Sequence, residues 1–368
     1  MAHMLKRMLR VFLLTALVFI AVADGNAQTP DLPAVEGPIT GPGPVFVPDI
    51  ELEQSTSAAA AGYVYEEFFV SGNAQGKTYK VRMFVIRPGA RNRFSGQVLV
   101  ENGHFDSRPW VWSYTRIYNL PRGHASVVLS TMAQNYPALR QFNEGRYRDL
   151  HLTDDQISDV FAQVGRLLKS EKTPLPGVEK LYATGFSLAA GPVGRYMETH
   201  HAKYRLPNGG PVYDGFFIPP SRNVTGRGPL PDLDVPTMQL TSQLEVEVTY
   251  IDAKTNYRKS DGNERGKQFR LYEISGMAHL DSRYTPPMAG DAVNHPGIDE
   301  PCALPRNRYP YGRVVSTLFH HMIRWVRDGV APPPSRLISV IGGPGGRLEL
   351  DAHGNAVGGV RNPAVDVP

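Results

Sequence analysis

The sequence predicts an α/β fold: a mostly parallel central sheet with helices on both faces and an opening antiparallel hairpin. Three observations carry that prediction: an early pair of alternating segments, short apolar runs that recur along the chain, and amphipathic helical stripes between the runs. The early pair is Tyr63–Val70 and Tyr79–Arg87. In the second segment Val81, Met83 and Val85 alternate with Arg82, Phe84 and Ile86, and Gly72 and Gly76 supply turn chemistry between the two. Apolar runs follow at Val98–Val100, Ala125–Ser130, Leu181–Thr184, Phe216–Ile218, Met238–Leu240 and Phe269–Ile274, each short enough to be a buried strand. Ile157, Val160, Phe161, Val164, Leu167 and Leu168 fall on one helical face, and Thr153 with Gln156 forms a capping box ahead of them. A second stripe, Val315, Leu318, Phe319, Met322 and Trp325, runs to Gly329 and the Pro332–Pro334 stop.

A chain of 368 residues with 41% hydrophobic and 20% charged residues can bury a large core and does not have the composition of a disordered protein. Part of the net charge of +4 sits at the N-terminus, in Lys6, Arg7 and Arg10, so the body is close to neutral. The sequence lacks the dense Lys/Arg clusters that track a phosphate backbone, which argues against a nucleic-acid partner. A single cysteine, Cys302, excludes an intrachain disulfide and a Cys-based zinc cluster. Residues 1–27 read as a signal peptide: a basic start, an apolar run from Val11 to Ala23, and small residues that place cleavage near Ala23 or Ala27. That run is too short to cross ~30 Å of hydrocarbon as a helix. The expectation is a secreted or periplasmic protein with no stable membrane span. Met1-Ala2-His3-Met4 reads as an extension ahead of a natural start at Met4. Residues 28–62 read as a Pro/Gly-rich extended lead-in, 63–340 as the main α/β domain and 341–368 as a Gly-rich, loosely packed tail.

The segment from Lys180 through Gly185, Phe186, Ser187, Leu188 and Ala189 passes from an apolar strand through small residues into a helical stretch. This is the context of a nucleophile elbow, in which a sharp turn exposes a serine oxygen at the carboxyl edge of a sheet. The fifth motif position, usually Gly, is Ala189. A reactive serine needs a base, and His279 lies just past the apolar run Phe269–Ile274. An acid between them would fix the imidazole tautomer. Glu245, a few residues past Met238–Leu240, is the first choice, with Asp232, Asp234 and Asp252 as alternatives. The oxyanion hole would combine the backbone N–H of Leu188 with that of His104 or Phe105, which follow the strand signal Val98–Val100, and Gly103 would allow close backbone approach to a substrate. Phe105, Trp110 and Trp112, with Phe186 beside the serine, would line the substrate pocket.

With these elements in order, the chain resembles the α/β-hydrolase superfamily, and more narrowly the bacterial group described as alpha/beta hydrolase domain-containing proteins. Beyond the triad, the similarity lies in the blocks Leu139–Leu150, Pro211–Phe216, Val235–Leu240, Arg270–His279 and Trp325–Pro333, within residues 63–340. The resemblance implies an α/β-hydrolase fold with Ser187 as nucleophile and His279 as base. Two departures stand out. The elbow is commonly Gly-Trp-Ser-Gln-Ser-Gly in that group, and Gln243 occupies a segment that often carries two carboxylates, which points to Glu245.

No P-loop or dinucleotide fingerprint is present, and neither a cofactor nor a metal is expected. Asp261-Gly-Asn263-Glu264 reads as turn chemistry rather than a calcium loop. Asn223-Val-Thr225 is a glycosylation sequon where a host glycosylates. The expected function is cleavage of a carboxylic ester, small-molecule or polymeric, through an acyl-enzyme. The alternatives are an acyltransferase or amidase on the same triad, or a catalytically silent binding protein.

Overall fold

The computed structural model describes residues 27–47, 57–280 and 309–366. Residues 1–26, which hold nearly all of the expected signal peptide, and Cys302 lie outside the described residues.

The opening hairpin pairs β2 (Tyr63–Ala74) with β3 (Lys77–Pro88) in antiparallel register. Its turn is Gln75-Gly76, with φ of 52° and 72°, the left-handed pair that matches strand twist in a two-residue loop. Gly72, expected in the turn, lies inside β2 opposite Tyr79. A Cβ there would stand 3.0 Å from the Tyr79 hydroxyl, so the glycine makes room for a ring laid across it. Beyond β3 come β5 (Ala125–Ser130), β4 (Gln97–Asn102), β6 (Lys180–Gly185), β7 (Gly215–Ile218), β8 (Thr237–Ser242) and β9 (Phe269–Ile274), mutually parallel. The nine-stranded order, completed by β1 (Ala34–Glu36) on the outer side of β2, is β1-β2-β3-β5-β4-β6-β7-β8-β9.

Alternation along each strand sends side chains to two different cores. Val98, Val100, Leu181, Ala183, Phe216 and Ile218 pack on one face with α3 (Ile157–Leu168) and α4 (Ala190–Thr199). Leu99, Tyr182, Phe217, Met238 and Leu240 pack on the other with α1 (Trp110–Arg122) and α5 (Tyr311–Asp328). Between β5 and α3 the chain forms α2 (Asn135–Phe142). The Thr153–Gln156 capping box forms as expected, and Gln156 Nε2 also donates to the carbonyls of Ala74 (3.0 Å) and Lys77 (2.9 Å), holding the hairpin turn against the start of α3. α5 ends at Gly329 in the left-handed region, φ 69°. Among the described residues no helix is long and apolar enough to cross a membrane.

Two segments with no periodicity of their own are built into the body. The lead-in contributes β1, and its carbonyls at Ile39, Gly43 and Phe46 accept hydrogen bonds from Arg146 and Arg82. Both guanidiniums also bind the buried Glu67 carboxylate, with Arg146 Nε at 2.5 Å and Tyr147 OH donating at 2.9 Å. The tail is not loose. Val360 of the tail exchanges backbone bonds with Glu273 and Ser275, Arg336 ahead of the tail bonds Leu271 and Glu273 along the same outer edge of β9, and β10 (Val340–Ile341) pairs with β11 (Arg347–Leu348). Buried Glu273 holds the segment leading into the tail by accepting from the Ile338 N–H, and it also accepts from Arg258 and Tyr257.

Glu67 therefore neutralises charge that the lead-in's carbonyls can solvate but not cancel. Replacing it by Gln leaves two buried guanidiniums without a counter-charge and is expected to destabilise the fold by about 3–5 kcal/mol, read from urea unfolding. A loss below about 1 kcal/mol would show that the carbonyl bonds alone suffice.

Candidate active site

The elbow forms where β6 meets α4. Ser187 has φ 54°, a left-handed conformation that a non-glycine residue adopts at a cost. The glycine this turn requires is Gly185, where a Cβ would lie 2.4 Å from the Ala189 carbonyl oxygen. Ala189, which stands where the motif usually has glycine, is fully buried, and the turn forms with it in place. Two contacts from beyond β7 hold the strained residue: the Ser187 N–H donates to Pro220 O (3.1 Å), and Ser221 Oγ donates to Ser187 O (2.6 Å). Sequence reasoning missed Pro220 and Ser221, whose only local signal is a Pro-Pro-Ser turn after an apolar run.

Past β8, Ser242 and Glu245 form a capping box, with the Ser242 N–H donating to Glu245 Oε2 at 3.1 Å and the Ser242 hydroxyl donating to the same oxygen. The other oxygen of this fully buried carboxylate, Oε1, lies 2.5 Å from His279 Nδ1, and His279 Nε2 lies 2.8 Å from Ser187 Oγ. The alternative acids are elsewhere: Asp232 pairs with Lys259, Asp234 with His201 and Arg205, and Asp252 is exposed. Gln243 has a structural part. Its N–H donates to Met277 O (3.1 Å) and its Oε1 accepts from the Gly276 N–H (2.8 Å), strapping the histidine loop to the acid loop. Phe186 stacks on the imidazole with centroids 5.1 Å apart, and Tyr311 OH donates to His279 O at 3.3 Å. The arrangement can pass the serine proton to the imidazole while the carboxylate stabilises the resulting imidazolium.

The loop after β4 closes on Asp106, which accepts from His104 Nδ1 (3.1 Å), the Arg108 N–H (3.0 Å) and Trp110 Nε1 (3.1 Å). Burial alone would raise the Asp106 carboxyl, but hydrogen bonds and positive charge from His104 and Arg108 outweigh it and hold the group below its ordinary range. Neither the Leu188 N–H nor the His104 N–H has a backbone acceptor among the described residues. Gly103 also meets the sheet: its N–H donates to Leu129 O, and a Cβ would lie 2.8 Å from that oxygen.

The aromatic residues divide. Trp110 and Phe186 are buried with ring centroids 5.6 Å apart, Phe186 lying against His279 and half-buried Phe105 against His104. Trp112, expected in the pocket, instead packs with Tyr63, Phe84, Ile86 and Val128. Two residues along a helix is about 200° of rotation, so Trp110 and Trp112 cannot share a face. Exposed Leu188 lines a cleft of about 250 Å³ with Met132, Gly191, Pro192 and Arg195.

Residues 35–368 match a family model described as an alpha/beta hydrolase domain. The chain belongs to that family. No curated protein matches this hydrolase. Among solved structures it is similar to a dienelactone hydrolase from Anabaena variabilis, at 13% identity and TM-score 0.34 over 57% of this chain and 86% of that one. It is also similar to Est1E from Butyrivibrio proteoclasticus, at 11% identity and TM-score 0.38 over 69% and 98%. A third is a cold-adapted esterase from an Arctic intertidal metagenomic library, at 10% identity and TM-score 0.29 over 57% and 84%.

In this alpha/beta hydrolase one buried acid stands apart from the Ser–His–Glu line. Glu101, fully buried on β4, accepts from the N–H groups of Val111 (2.8 Å) and Trp112 (3.2 Å) at the start of α1. Desolvation pushes its carboxyl up to about 8, against the lowering effect of these bonds. Between the unfolded value and about 8 the folded chain holds a proton that the unfolded chain releases, so stability from this group is full in acid and is lost as pH rises through that window. Glu101→Gln removes the titration. Its melting temperature relative to the unmodified protein is expected to climb as pH is raised from about 5 to 8. A difference that stays constant with pH would place the proton elsewhere.

Proposed function

We propose that this hydrolase is exported and cleaves a carboxylic ester through an acyl-enzyme, with Ser187 as nucleophile, His279 as general base and Glu245 as its orienting acid. One observation carries the reading: the unbroken line from a fully buried carboxylate, through Nδ1 and Nε2 of one imidazole, to the oxygen of a serine held at φ 54°.

His279 takes the Ser187 proton as Oγ attacks the ester carbonyl. The Leu188 and His104 N–H groups then receive the negative charge that develops on the carbonyl oxygen. The imidazolium returns the proton to the departing alcohol, and a water activated by the same imidazole releases the acid. Leu188 in place of the family's glutamine leaves this route open, because the contact is a backbone one. The substrate is a small-molecule or polymeric ester. Support for export is the basic start at Lys6, Arg7 and Arg10, the apolar run Val11–Ala23, and the small residues Ala21, Ala23, Gly25 and Ala27.

Ser187→Ala is expected to keep the melting temperature, to lose labelling by a fluorophosphonate probe, and to lower turnover of a short-chain aryl ester by at least about 10³-fold. Turnover equal to that of the unmodified protein would place the chemistry elsewhere, and absence of labelling in the unmodified protein would make the fold a binding scaffold.

Glu245→Gln keeps the shape of the acid but favours the wrong imidazole tautomer. Turnover is expected to fall on the order of 10⁴-fold, by analogy with the serine proteases, whereas Asp234→Asn leaves it within about threefold. The reverse ranking would remove Glu245 from the triad.

A further inference from the structure

We propose that Asn102 is a positioning residue that sets the distance between the two halves of the oxyanion hole. The inference rests on the esterase reading and extends it to a side chain that touches neither substrate nor triad.

Asn102 is the last residue of β4, fully buried and in register with Gly185, the last residue of β6. Its Nδ2 donates to the Ala189 carbonyl at 2.8 Å, and its Oδ1 accepts from the Thr131 hydroxyl beyond β5. The orientation of the amide is forced, because Ala189 O can only accept and so must face the NH₂. Ala189 follows Leu188, whose N–H is one oxyanion donor. In the other direction Asn102 is joined through Gly103 to His104, whose N–H is the second. One amide therefore ties the segment carrying one donor to the segment carrying the other, and Thr131 fixes the amide from a third.

A stronger reason to assign positioning lies in what the Ala189 oxygen already does. It sits so close to Gly185 that no Cβ fits between them, so the carbonyl marks the point of closest approach of strand and helix. A hydrogen bond there holds the elbow closed. Donors aimed at developing charge lose effect steeply when displaced, since an error of about 1 Å can cost on the order of 10²-fold in rate.

The test uses Asn102→Ala and the isosteric Asn102→Asp in the full chain. Turnover of an aryl acetate is measured from pH 5 to 9, together with inhibition by an arylboronic acid and hydrogen exchange at the amides of residues 189, 190, 191 and 193. Asn102→Ala is expected to lower kcat about 10²-fold with KM within about threefold, to weaken boronate binding in parallel, and to accelerate exchange at these amides but not in α3. In Asn102→Asp, a protonated carboxyl can donate to Ala189 O and an ionised one cannot, so its kcat relative to the unmodified protein should fall as pH rises. A merely structural asparagine would give a ratio that does not move with pH. Unchanged kcat in Asn102→Ala, or unchanged exchange at these amides in Asn102→Ala, overturns the proposal. If the unmodified protein neither hydrolyses the ester nor takes a fluorophosphonate, the esterase reading fails by itself, and the exchange rates alone decide whether Asn102 holds the elbow.

Discussion

The close approach of β6 to the start of α4 is the constraint on which the site depends. Gly185 permits it, the Ala189 carbonyl fills the space a side chain would need, and Ser187 is driven to φ 54° as the chain turns between them. Strain at one residue persists only where its surroundings over-determine it. Here the surroundings are Pro220 and Ser221 from beyond β7 on the Ser187 backbone, and Asn102 from β4 on Ala189. Three parallel strand ends thus converge on one turn, which is why the site sits at the carboxyl edge of the sheet.

His279 and Glu245 are held by a different device. Glu245 divides its two oxygens, one closing a capping box on Ser242 and the other meeting His279. Burying a carboxylate is costly unless its lone pairs are used, and here local backbone, a hydroxyl and an imidazole use them. His279 itself lies in a loop, positioned by Glu245 at Nδ1, by Phe186 on its ring face, by Tyr311 at its carbonyl and by the Gln243 strap behind it. A loop residue anchored on four sides can act with the precision of one on a strand.

Buried acids also join the irregular segments to the body. Glu67 gathers Arg82 and Arg146, whose remaining donors reach lead-in carbonyls, and Glu273 gathers Arg258, Tyr257 and, at Ile338, the segment that leads into the tail. In each case a carboxylate inside the sheet supplies charge, and a segment without a hydrophobic face finds its place by backbone polarity. Both ends of the main sheet are extended this way, β2 by the short strand β1 and β9 by backbone bonds to Arg336 and Val360.

The sequence by itself determined whatever local pattern dictates. Strand runs and helical stripes follow from periods of two and 3.6, the hairpin and the α3 cap from turn and capping chemistry, and Ser187 and His279 from their position just past buried strands. The tertiary structure decided what depends on partners far away in the chain. Which of Glu245, Asp232, Asp234 and Asp252 meets His279 is a matter of where β8 and β9 end relative to each other, and each rival carboxylate is drawn off by its own cation or by solvent. Gly72 looks like a turn residue until Tyr79 lies across it, and Trp112 looks like a pocket residue until the rotation of α1 turns it away. The lead-in and tail carry no periodicity because their binding is through backbone N–H and C=O groups, which every residue except proline offers in the same form, so only the folded sheet edge selects which of them pair.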